Sequence, residues 1–178
     1  MLASSYENCI KSIKIIMIKI NKEIFKKALL AGIFSAFTIG VLTVLTYKSA
    51  LGLFIAGSFG SSMVLILGYP ESPFAKGRNV FFGHIITSIA GLMCYSVLVS
   101  HLSFSITFVI PIAVGLGIFF MILLNSTHPP AGGNPILIIL GGHSFDFLLS
   151  PLISGCVVII LQAYLINNVI LKRDFKLF

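Results

Sequence analysis

The residues with chemistry to offer stand in three short stretches. Thr127-His128-Pro129-Pro130-Ala131-Gly132-Gly133-Asn134-Pro135 sets a histidine and an asparagine among three prolines and two glycines. Gly57-Ser58-Phe59-Gly60-Ser61-Ser62 supplies three hydroxyls between glycines, and Arg78-Asn79 precedes His84 by little more than one helical turn. The set is rich in hydrogen-bond donors and contains no carboxylate, which suits it to a small anion. A helix that begins at such a break presents free N–H groups and the positive end of its dipole. Glycine lets a ligand approach the backbone closely, and proline fits a first helical turn where its missing N–H is not needed. The anion-binding candidates are therefore Gly57, Ser58, Gly60, Ser61 and Ser62 in the first stretch, and His128, Pro129, Pro130, Ala131, Gly132, Gly133 and Asn134 in the second. Arg78, a fixed cation with a planar donor fork, joins them with Asn79 and His84.

Each candidate also has a plainer reading. Glycine and serine permit close helix packing, and prolines kink helices. His128 can fix a turn by bonding a carbonyl, and Arg78 can simply mark a cytoplasmic loop. His101 and His143 fall in loops expected on the outside. HExxH, GxSxG and paired-carboxylate motifs are absent, so no catalytic residue, metal or cofactor is expected. Cys9, Cys94 and Cys156 are scattered and read as small packing residues. An intramembrane enzyme built on His84, His128 and Cys94 or Cys156 is one alternative, and a structural or assembly subunit is another.

The elements that must position these residues are dictated by composition. Of 178 residues, 57% are hydrophobic and 10% charged, with a mean hydropathy of +1.08. A soluble domain carries about 25% charged residues, so this is an integral membrane protein, all-α and of one domain. Apolar runs at 28–47, 51–69, 80–100, 104–125 and 150–171 approach the ~20 residues a spanning helix needs, while 134–142 is shorter. Irregular backbone at membrane depth is tolerated only inside protein or along a water-filled cavity. Residues 10–27 set lysines opposite isoleucines and predict a basic amphipathic helix on the membrane surface, with no cleavable signal peptide. The expected organisation is 1–27 interfacial, 28–172 transmembrane and 173–178 a short cytoplasmic tail.

The net charge of +7 clusters at segment ends, which is a topology signal rather than a nucleic-acid surface. Six crossings place eleven basic residues on the side of both termini and only Lys48 opposite. Four crossings, with 51–69 and 129–142 re-entrant, give nine against three. The positive-inside rule prefers six, with both termini cytoplasmic, as in a bacterial plasma membrane. A shift of 72 positions lays residues 30–100 on 102–172, Gly60 on Gly132 and Gly83 on Gly155. The expected architecture is two inverted three-segment repeats, the middle segment of each broken into a half-helix. Lipid and a small inorganic anion are the expected partners. The small lipid-shielded volume of six segments points to a homo-oligomer.

These motifs resemble a known family. Thr127 to Gly132 is similar to the signature from which the HPP family of small integral membrane proteins takes its name. Pro70 to His84 is similar to that family's Pro-x-Ser-Pro-x-Ala-x-x-Arg-Asn motif followed by Gly-His, and Gly57 to Leu65 resembles its Gly-Ala-Ser-Ala-Val-Leu stretch. The resemblance covers roughly 28–172 and implies anion transport, with nitrite uptake associated with some plant plastid and cyanobacterial members. Family descriptions often count four spanning helices, where the charge argument gives six. Gly77 stands where the family has proline, and Gly-Gly-Asn-Pro-Ile replaces Gly-Ala-Thr-Ala-Leu; both departures bear on the substrate more than on the fold. No regulatory module is expected after residue 178.

Overall fold

The computed structural model describes residues 22–49 and 52–178. Its regular structure is helical, with no strand among the described residues. The helices are α1 (Lys22–Lys48), α2 (Gly57–Gly68), α3 (Gly77–His101), α4 (Ile106–Leu123), α5 (Asn134–Gly141) and α6 (Leu148–Ile170). A 3₁₀ turn, Pro129–Gly133, leads into α5. The 10–21 part of the expected interfacial helix lies outside the described residues, and from Lys22 onward the chain is already α1. α1 straddles two compact units, the first ending at Leu30 and the second running from Ala31 to Phe178. The second unit contains α2 to α6 and every candidate site residue.

α1, α3, α4 and α6 are long and apolar enough to cross a membrane. α2 has twelve residues, or ~18 Å at ~1.5 Å per residue, against a hydrocarbon core of ~30 Å. Extended chain lengthens its reach. Leu53 O accepts from Ser150 Oγ (2.6 Å) and Ser154 Oγ (3.1 Å) at the start of α6. At the other end of α6, Asn167 Nδ2 donates to Ile66 O (2.8 Å) and Arg173 Nη1 to Leu67 O (2.9 Å). Residues 53–67 therefore run beside α6 along most of its length.

The 127–142 stretch runs along α3 in the same way. Asn79 Nδ2 donates to Thr127 O (3.1 Å), Asn134 Nδ2 to Ser88 Oγ (2.9 Å), and Gly142 lies under the Tyr95 hydroxyl. Gly142 closes α5 in the left-handed region (φ 61°), a position that favours glycine. Residues 52–56, 102–105 and 142–147 share one end of the bundle; 69–76, 124–128 and the C-terminal residues share the other.

The C-terminal residues are not a free tail. Gly77 N donates to Lys176 O (2.9 Å) and Arg78 N to Leu177 O (2.7 Å), so two carbonyls satisfy the orphan amides that open α3. Phe175 is buried in the main core with Phe59, Ile66 and Ile159. Arg173 also brings a cation to the C-terminal end of α2, where the helix dipole is negative.

Candidate functional site

α3 carries an inward stripe of Asn79, Gly83, His84, Thr87, Ser88, Gly91 and Leu92, spaced as one face of a helix requires. Val80 is buried on the same face; apart from it and Leu92 the stripe is polar or glycine inside an apolar span, and the polar residues call for partners. His84 faces α2 and the 128–134 segment. Its Nε2 lies 3.0 Å from Ser62 Oγ, and its Nδ1 lies 3.0 Å from Asn134 Nδ2 and 3.5 Å from Ser58 Oγ. Ser62 Oγ also lies 2.8 Å from His128 Nε2, and His128 Nδ1 lies 2.9 Å from Phe74 O. The two imidazole centroids are 5.2 Å apart, and Phe59 stands edge-on to His84. His84, His128, Ser62, Ser88 and Asn134 are all buried.

Carbonyl chemistry fixes the direction of this chain. Phe74 O can only accept, so His128 Nδ1 carries the hydrogen, and the neutral ring leaves Nε2 bare. Ser62 directs its single hydrogen to that Nε2 at 2.8 Å, the shorter of its two acceptors, the Ser58 carbonyl lying at 3.3 Å. His84 Nε2–H then donates to Ser62 Oγ, leaving His84 Nδ1 to accept from Asn134 Nδ2. Every link is satisfied in one polarity. The exception is Asn134 Oδ1, which is buried and has no partner.

Each end of the bundle has a cavity beside this seam. At the 69–76 end, Pro73, Phe74, Lys76, Arg78, Asn79, Asn125 and Thr127 line about 150 Å³. It holds two cations and no acid, and Phe74 is the residue whose carbonyl receives His128. At the other end, Tyr95, Ser96, Ser100, Gly142, His143 and Ser144 line, with Leu92 and Phe145, about 230 Å³. Between them α3 closes tightly on α5: a methyl group at Gly91 would lie 2.8 Å from Pro135 Cα.

The structure sorts the candidates named from sequence. Ser58, Ser62, His84, His128 and Asn134 come together as a buried group, with Ala131 buried beside them in the chain. Arg78 and Asn79 line the cationic cavity instead. Gly57, Gly60 and Ser61 occupy the exposed face of α2, Gly57 one turn before the other two, and Pro129 is exposed as well. Pro130, Gly132 and Gly133 are half-buried, and nothing lies within 4 Å of a methyl group placed on either glycine or on Gly60. Pro129, Pro130 and Pro135 have no N–H to offer, and Ala131 N donates to His128 O (3.0 Å). Donors at this break are therefore mainly side chains, His128 and Asn134.

Sequence reasoning missed Ser88, whose signal was its place four residues beyond His84. It also missed Lys76, Asn125 and Thr127, which only the fold brings to one cavity. Among the described residues no cluster of three or more His, Cys, Asp or Glu could hold a metal. The groups within hydrogen-bond reach of the two histidines are serines, asparagine and a carbonyl rather than a cysteine.

Residues 21–176 match the transmembrane region of the HPP family. The chain is similar to a transmembrane protein of Dictyostelium discoideum, 33% identical over 146 residues, covering 78% of this chain and 50% of the relative. A second Dictyostelium discoideum transmembrane protein is 32% identical over 145 residues, covering 78% of this chain and 46% of the relative. The chain thus spans about half the length of the curated relatives it matches. No solved structure matches it.

Proposed function

The chain belongs to the HPP transmembrane family, and from that premise we propose that it carries a small monovalent anion, nitrite first among candidates, across the membrane. The observation that carries this reading is the lipid-shielded polar seam of Ser58, Ser62, His84, Ser88, His128 and Asn134 lying between a cavity at each end of α3. Buried polar groups in a span are costly and mark pathways. Lys76 and Arg78 give the cavity at the 69–76 end a positive potential that concentrates anions.

On the same reading the halves are inverted repeats, and each short segment packs along the long helix of the other half: 53–67 on α6, and 127–142 on α3. The shift of 72 that places Gly83 on Gly155 also places Phe54 on Ser126. A methyl group at Gly83 would lie 3.0 Å from Ser126 O, and one at Gly155 would strike Phe54 O. The same glycine-on-carbonyl contact thus occurs twice, each time between the two halves and with the roles exchanged. Inverted halves suit alternating access around a shared site. Both termini then face the cytoplasm, as the basic residues favour, in a bacterial plasma membrane, and the protein assembles as a homo-oligomer.

The test is reconstitution of the purified chain in liposomes with influx of nitrite, nitrate, formate and chloride compared. Saturable uptake of one or more of these, weakened by His128→Ala and by Arg78→Ala, is the expected result. Folded wild-type protein that passes none of them would overturn the reading and favour an assembly role.

A further inference from the structure

We propose that the chain Asn134–His84–Ser62–His128–Phe74 is a proton relay, and that it makes anion passage proton-coupled. This rests on the anion-transport reading of the same seam and adds the co-substrate.

The links are continuous and short: 3.0 Å from Asn134 Nδ2 to His84 Nδ1, 3.0 Å from His84 Nε2 to Ser62 Oγ, 2.8 Å from Ser62 Oγ to His128 Nε2, and 2.9 Å from His128 Nδ1 to Phe74 O. A proton entering at His84 Nδ1 makes that ring an imidazolium. His84 Nε2–H then passes to Ser62 Oγ as the Ser62 hydrogen passes to His128 Nε2, and His128 Nδ1–H leaves toward the cavity that Phe74 lines. One proton enters, one leaves, and no other bond changes. The relay ends with both tautomers exchanged and a bare His128 Nδ1 against the Phe74 carbonyl. Those two lone pairs repel, so the rings must turn to restore the first polarity before a second passage.

Asn134 supplies the second observation. Its Oδ1 is buried without a partner while its Nδ2 faces the acceptor end of His84. Once His84 Nδ1 is protonated, rotation of the amide about its last bond gives Oδ1 that N–H to accept, in exchange for the Nδ2 bonds to Ser88 Oγ (2.9 Å) and His84 O (3.3 Å). The orphan acceptor is thus the group that receives the extra hydrogen. In the unprotonated chain every N–H and O–H between His84 and Phe74 is already committed, so an anion finds no free donor there. Adding a proton supplies a donor and a positive charge together, which is the physical basis of coupling.

The surroundings leave this role to the two histidines. α2, α4 and the 129–141 segment, which pack around them, carry no acidic or basic side chain. α6 contributes Cys156 and Tyr164, α3 itself Arg78, Cys94, Tyr95 and His101, and the 69–76 loop Tyr69, Glu71 and Lys76.

The experiment uses full-length protein in vesicles clamped with potassium and valinomycin, loaded with a pH-sensitive dye, and given nitrite outside; protein-free vesicles correct for permeation of neutral nitrous acid. Expected for wild type is about one proton per nitrite and a flux indifferent to the imposed potential. Ser62→Ala drives the ratio toward zero and makes any residual flux follow the potential, whereas Ser62→Thr, which keeps a hydroxyl, keeps the ratio. Loss of both fluxes in Ser62→Ala with both retained in Ser62→Thr also supports the relay. Wild-type nitrite flux with no accompanying proton, or a one-to-one ratio preserved in Ser62→Ala, overturns it. If wild type moves no anion, the transport reading fails by itself, and proton entry under a negative-inside potential then decides the relay. A Ser62-dependent proton current upholds it, and no current sinks it.

Discussion

At the scale of single residues, the chemistry of this site is that of neutral donors held between two cation-free walls, with the fixed cations kept at the mouth. Arg78 is exposed at the edge of its cavity rather than paired inside the seam, so on the proposed anion route it acts at long range. Arg78→Gln is expected to raise the KM for nitrite uptake several-fold with little effect on the maximal rate. That difference should shrink as ionic strength rises past the point where the Debye length falls to ~8 Å. Initial uptake rates at two salt concentrations check it; a KM difference indifferent to salt would show that Arg78 touches the anion directly. Much of this site was legible. Prolines, glycines and a histidine crowded into Thr127–Pro135 announced a break, and the break delivers His128 and Asn134 to His84. What could not be read was direction. Gly57, Gly60 and Ser61 share a motif with Ser58 and Ser62, yet the helix turns them to the opposite face, and only the start of α2 at Gly57 decides which is which. Ser88 was hidden because a serine in a span looks the same whether it packs or binds.

At the scale of elements, glycines divide into those that are filled and those that are open. A methyl group at Gly83 would meet His128 Cβ at 2.9 Å, and one at Gly91 would meet Pro135 Cα at 2.8 Å; both push the 128–135 segment off α3. Gly83→Ala and Gly91→Ala are expected to cost about 1–3 kcal/mol each, the range for overpacking a tight interface. Thermal unfolding in detergent should show both. Gly132→Ala, with open space around its new methyl, should unfold at the wild-type temperature or slightly above it. A destabilised Gly132→Ala beside an undisturbed Gly91→Ala would contradict the packing described here. The apolar runs anticipated six helices close to where they lie, because long hydrophobic segments are the strongest signal a sequence carries. The docking of residues 173–178 was not anticipated. Its contacts are carbonyls of Lys176 and Leu177 meeting amides of Gly77 and Arg78, and backbone groups leave no trace in residue type.

At the scale of the whole molecule, the path of the chain fixes which connections share a side. Ser72 and Lys176 belong to one end, Ser103 and Ser144 to the other. Single cysteines at these four positions, in a background lacking Cys9, should label from opposite sides with a membrane-impermeant reagent: Ser72→Cys and Lys176→Cys together, Ser103→Cys and Ser144→Cys together. Co-labelling of Ser72→Cys with Ser144→Cys would contradict the alternation. Charge counting preferred six crossings from Lys76 and Arg78 alone, since the 69–79 loop is the only basic segment whose side differs between the two topologies. Contacts at both ends of α3 and α6 set Thr127 and Arg173 at one end of the bundle and Gly142 at the other.

The central claim is that the seam between the two cavities lies on an anion's route. Its most direct test is the initial rate of nitrite entry into proteoliposomes as a function of concentration, for wild type and for His84→Gln, which keeps much of the ring's bulk and hydrogen-bonding but neither its aromatic contact with Phe59 nor its titration. A saturating curve for wild type, reduced at least about tenfold in His84→Gln, equivalent to ~1.4 kcal/mol, is the predicted result. Equal curves for the two folded proteins would place the anion's route elsewhere in the molecule.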